Sequence, residues 1–191
     1  MNTHSTYPPP RTGLVGYWDK FIGPGATRAE IWVSLVPALS AAMGILVYAA
    51  RAGLGWSITQ QCIAALLAFD LTGGVVTNAT RSAQRWYHRS GQGLQQHLFF
   101  VVLHTMHVFL VAWLFRSMDW ISFGVVTGYL LLSAIVVLIT PRYLQRAVAL
   151  LSTCGAIVLG FYLLPATSGF DWFIPFLFLK LIVSHLVPET P

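Results

Sequence analysis

Charge is scarce in this chain. Only 9% of its 191 residues are Asp, Glu, Lys or Arg, while 56% are hydrophobic. Soluble domains carry roughly 25% charged residues. The polar surface is too small to coat a globule, so lipid must cover part of it, and an ordinary soluble protein is excluded. Acidic groups are fewer than basic ones, 6 against 11. The net charge of +5 is not a nucleic-acid signal, because the basic residues gather on one face of the expected bilayer. Cysteine is limited to Cys62 and Cys154. Both lie in apolar runs and are expected to be small buried hydrophobes rather than a disulfide or a metal pair. No GxSxG, P-loop, HExxH or CxxC occurs, so none of those site types is signalled. The first thirty residues hold no early apolar run, and no cleavable signal peptide is expected.

What the chain does have is a series of apolar runs. Residues 1–12 are polar and proline-rich and are expected to be disordered. Leu14, Tyr17, Trp18, Phe21 and Ile22 recur at helical spacing and predict a short helix lying on the membrane surface. Thr27 with Glu30, and Ser57 with Gln60, have the form of capping boxes that open helices. Six spans are predicted at residues 31–50, 58–79, 97–115, 120–138, 141–164 and 170–187. Each has roughly 18 to 25 residues, enough to cross about 30 Å of hydrocarbon at 1.5 Å per residue. Asp119 is expected to cap the fourth span, and Thr140-Pro141 to open the fifth. The fold class is therefore an all-α polytopic membrane protein. It divides into an N-terminal segment at 1–30, a six-helix domain at 31–187 and a tail at 188–191.

The basic residues orient it. With the N-terminus cytoplasmic, Arg11, Lys20, Arg28, Arg81, Arg85, Arg89, Arg142 and Arg146 fall inside, and only Arg51 and Arg116 fall outside. This positive-inside bias places both termini in the cytoplasm, in a bacterial-type inner membrane.

Most polar groups concentrate between Asp70 and His107. An aspartate deep in a span costs about 2.5 to 3.5 kcal/mol and marks function by default. Asp70 lies roughly 13 Å from the nearer end of its span. Spans 2 and 3 run in opposite directions. That puts His104 and His107, which share a helix face, level with Asp70. His97 falls level with Asn78, nearer the cytoplasm. Span 6 adds Lys180 at the level of Asp70 and His185 at the level of His97. On an ideal helix Lys180 and Ser184 share a face, and His185 turns about 140° away from Lys180. Two polar layers are thus predicted.

Two imidazoles and a carboxylate are donors suited to a divalent transition metal, zinc or iron. The leading expectation is a metal-assisted hydrolase or oxidoreductase acting on a lipid or other apolar molecule, with Asp70, His104 and His107 as ligands. Asn78, His97 and His185 would orient substrate. Lys180, Arg85 and His88 would bind it, the last two through an anionic head. A haem held by His185 opposite His104 or His107 is the lesser cofactor expectation. The alternative is a proton-coupled or metal-ion transporter, with Asp70 as coupling carboxylate and the histidines as relays. A structural subunit without its own site is the third reading. Asp70 paired with Lys180 or a charged histidine would satisfy that reading as well. The expected partners are the bilayer, a lipid or small-molecule substrate and, given the small size, a second copy of the chain.

Overall fold

A computed structural model describes residues 8–189. The expected disorder of the N-terminal stretch falls largely outside the described residues, as does the end of the tail. Residues 8–11 carry no regular secondary structure. Among the described residues the fold is all helical, with no strand.

The predicted short helix is present as α1 (Gly13–Ile22). Leu14, Tyr17, Trp18 and Phe21 point outward. Its Asp19 folds back onto Arg11, whose Nη2 donates to Asp19 Oδ1 at 2.6 Å. That guanidinium holds the Asp19 carboxyl down at about 2. α2 (Arg28–Arg51) and α3 (Ile58–Asn78) form an antiparallel pair. Both open with the predicted capping boxes: Thr27 and Glu30 satisfy each other's backbone amides, as do Ser57 and Gln60. Pro37 is accommodated inside α2.

The chain breaks at Ala79 rather than running on as one helix. Thr80 Oγ1 accepts from Ala83 N and opens the separate short helix α4 (Arg81–Tyr87). α1 docks on α4 through Gly23, whose positive φ of 89° and lack of a side chain let it lie against the Ser82 backbone. Ser82 Oγ donates to Ile22 O at 3.0 Å, and the Tyr87 hydroxyl donates to Phe21 O at 3.0 Å. Burial pushes the Tyr87 phenol up to about 12.

α5 (Leu94–Phe115), α6 (Trp120–Ile139) and α7 (Arg142–Val158) follow. α5 starts a turn before the predicted boundary. Asp119 caps α6 as expected, accepting from Ser122 N at 3.0 Å. α7 runs on as a π-helical stretch to Leu163. Five helices are long and apolar enough to cross a membrane: Arg28–Arg51, Ile58–Asn78, Leu94–Phe115, Trp120–Ile139 and Arg142–Leu163.

The last segment departs from expectation. α8 (Phe173–Phe178) continues as π-helix over Leu179–His185, giving an apolar stretch shorter than the other five. It is also the most enclosed. Leu177, Phe178, Leu181, Ile182 and Leu186 are almost wholly buried, packed against α3, α6 and α7. A segment walled in by other helices need not present a full-length apolar cylinder to lipid. The two cysteines differ from expectation too. Both are free and exposed, on outward faces of α3 and α7.

Candidate functional site

Asp70, His104, His107 and Lys180 converge at mid-bundle. Lys180 Nζ donates to Asp70 Oδ2 at 2.5 Å. His107 Nε2 stands 2.9 Å from the same oxygen, and since a carboxylate only accepts, the ring N–H donates. Both bonds fall on Oδ2, which leaves Oδ1 outside them. His107 Nδ1 is buried with no partner among the described residues. His104 Nδ1 donates to Phe100 O at 2.7 Å, which fixes the ring and turns Nε2 toward the cluster.

Gly74 makes the ion pair reachable. A Cβ there would stand 2.4 Å from Lys180 Cε and 2.6 Å from Cδ, so the lysine stem crosses α3 directly over this residue. Gly73 serves helix packing instead, its hydrogen facing Ala38 Cβ of α2. The carboxylate is reached from a small cleft between α1, α2 and α3, lined by Trp18, Phe21, Ser34, Gly73 and Thr77.

The second predicted layer is also assembled. His97 Nδ1 lies 3.2 Å from His185 Nε2, both buried. His88 stacks on His97 with centroids 4.7 Å apart, and its Nε2–H donates to His185 O at 3.0 Å. Burial, reinforced by the nearby positive charge of Arg142, lowers the His88 pKa below its usual value. Phe100 separates the layers. Its ring sits 4.0 Å from His185 and 4.4 Å from His104, centroid to centroid. That ring fills the space a macrocycle would need between those histidines.

One facing differs from the ideal-helix expectation. Lys180 and His185 are both buried, while Ser184 is only half-buried. The π winding contributes: i to i+5 hydrogen bonding reduces the turn per residue and brings His185 round toward the face of Lys180. Asn78 sits beside this stretch, and its Nδ2 donates to Lys180 O at 3.4 Å. Its contact here ties helices together and does not reach the imidazoles. Arg85 is exposed on α4, away from both layers, as is Arg81. Arg89 lies beyond the helix with its guanidinium 3.6 Å over the Trp86 ring.

Gln84 takes a role that no sequence pattern marks. Its buried Nε2 donates to Asn78 O at 2.7 Å and Ser184 O at 2.8 Å, while Oε1 accepts from Glu189 N at 3.2 Å. It clamps α4 to the end of α3 and to the π segment. A glutamine in a basic loop carries no sequence cue for such a role.

The donor set suits a metal in its chemistry and approximate spacing. One ligand atom from each of Asp70, His104 and His107 lies within 4.8 Å of the others. Ligands of one ion at 2.0–2.1 Å stand at most about 4.2 Å apart, so small side-chain movements suffice. The His104 and His107 rings are near parallel, 15° apart, and would have to rotate to converge. The Lys180 ammonium already neutralises Oδ2 and would have to yield that oxygen or share the carboxylate. Compared with known proteins, the chain matches no family model, no curated protein and no solved structure.

Proposed function

We propose that the chain is a six-crossing inner-membrane enzyme with both termini in the cytoplasm, whose working part is the Asp70–His104–His107 centre. The eight-to-two distribution of basic residues supports the orientation. The short Phe173–His185 stretch serves as the sixth crossing because other helices shield it. The observation that carries the chemical reading is the convergence of two imidazoles and a carboxylate within 4.8 Å inside the membrane. His104 supports it further, because the Phe100 carbonyl leaves its Nε2 as the free donor. A zinc or iron ion held there supplies Lewis-acid polarisation of a carbonyl or phosphoryl oxygen. The protein's own groups do the rest. Lys180 balances the carboxylate, His107 holds its orientation, and an apolar substrate would have to widen the small cleft beside Gly73 and Phe21 to reach it. Arg85 and Arg81 offer an anionic headgroup a place at the cytoplasmic surface. Metal analysis of protein purified after growth with zinc or iron tests the reading. About one ion per chain is expected, falling at least tenfold in His104→Ala. Wild-type protein without bound metal, or metal unchanged by that substitution, overturns it.

A second reading is favoured by one specific observation, the 2.5 Å contact of Lys180 with Asp70. A carboxylate already neutralised by an ammonium is suited to exchanging protons or a cation in transport. The His88–His97–His185 layer would then be the approach from the cytoplasm. Proton or metal flux into reconstituted vesicles, lost in Asp70→Asn, separates this from the enzyme.

A further inference from the structure

A second concavity lies away from the histidines. It holds about 430 Å³ and lies on another face of α3, lined by Ala68 and Thr72. Asp70 is turned some 160° to 200° from those two residues at 100° per residue. The volume falls within the roughly 300–1,000 Å³ of small-molecule sites. It exists because α2 and α3 present little there. Gly44 contributes no side chain, and a Cβ built on it meets nothing within 4 Å. The walls are otherwise apolar, with Ile45 on α2 and Phe176 on α8. The groove is open along α2, where Gly44 and Tyr48 are exposed, and it reaches the Gly169–Trp172 loop, at the end of the bundle away from α1 and α4. There the walls change character. Asp171 is exposed and has no ion-pair partner among the described residues, and Tyr48 and Trp172 flank the opening.

A groove whose lining is mostly apolar but includes one carboxylate and two aromatic rings has defined chemistry. The interior takes a hydrocarbon chain. The carboxylate attracts a cation, and aromatic faces favour alkylammonium groups. Tyrosine and tryptophan also suit the headgroup level, where such a cation would sit. We propose that this cavity binds a single-chain alkylammonium amphiphile, with its chain alongside Gly44 and its head at Asp171. The proposal is independent of the metal reading, since the cavity shares no residue with Asp70, His104 or His107.

Photolabelling of the full chain in phosphatidylglycerol nanodiscs tests it. The probes are a diazirine-bearing hexadecyltrimethylammonium and the same chain carrying a sulfate head. The ammonium probe is expected to crosslink saturably to peptides containing Gly44 and Trp172, and to be displaced by unlabelled hexadecyltrimethylammonium. Gly44→Leu fills open space and adds a better helix former. It should keep the thermal stability of wild type and lose the saturable labelling. Asp171→Asn should weaken ammonium labelling about fivefold and leave the sulfate probe unchanged. Equal saturable labelling by both heads would identify an ordinary lipid seam and overturn the proposal. So would labelling that persists in Gly44→Leu.

Discussion

Replacing Asp70 by asparagine should cost more than any other single polar substitution in the bundle. Lys180 and Asp70 side chains are 4% and 31% exposed, with 2.5 Å between Nζ and Oδ2. Removing the carboxylate strands an ammonium in the interior, and breaking such a pair costs about 3–5 kcal/mol. Replacing both partners is different, because well-packed apolar groups are often neutral or stabilising in place of a buried pair. Methionine can follow the lysine stem over Gly74, since it is unbranched and the path is already open. Asp70→Asn/Lys180→Met should therefore recover most of the loss. The assay is equilibrium or thermal unfolding of both single variants and the double in the same nanodiscs, read as a double-mutant cycle. At roughly 2–4 °C per kcal/mol for a chain of this size, Asp70→Asn should lower Tm by about 6–20 °C. A loss below about 1 kcal/mol in Asp70→Asn, or a double variant no more stable than the single, would refute the reasoning.

Gly74→Ala should cost about 1–3 kcal/mol by driving a methyl into the Lys180 stem, and chemical unfolding reads it directly. Gly44→Ala, the matched control with open space, should gain about 0.5–1 kcal/mol from helix propensity. Gln84→Leu leaves the Asn78 and Ser184 carbonyls without their partner and should cost about 2–4 kcal/mol, with faster proteolysis at the α4 loop. Because the His88 pKa is lowered in the fold, the unfolded chain binds more protons below the ordinary value of 6.5. Stability should therefore fall as pH drops through that value, and unfolding curves of His88→Gln should be flatter over the same range.

The parts of this fold legible in the sequence are those fixed by local chemistry. A hydroxyl three residues before a carboxylate or amide encodes a helix start, and Thr27 and Ser57 are found capping as read. Depth was legible as well. Two antiparallel helices with a common rise set Asp70 against His104 and His107 by arithmetic alone. What could not be read depends on distant packing. Nothing in Leu179–His185 announces i to i+5 bonding, yet that winding brings His185 round toward the inward face. Gln84 acts on Ser184, 100 residues away, through backbone carbonyls that any sequence would offer. The cysteines depart from expectation because hydrophobic residues in a bilayer are content on either side of a helix, so apolar context does not imply burial.

The enclosed position of the last helix has a consequence for biogenesis. Lys180 emerges 110 residues after Asp70. At roughly 5–20 residues per second, the aspartate is made some 5–20 s before its cation. Until then the half-built bundle lacks the cation and the central helix that complete its interior. A ribosome stalled before residue 173 is therefore expected to release a product prone to quality-control degradation.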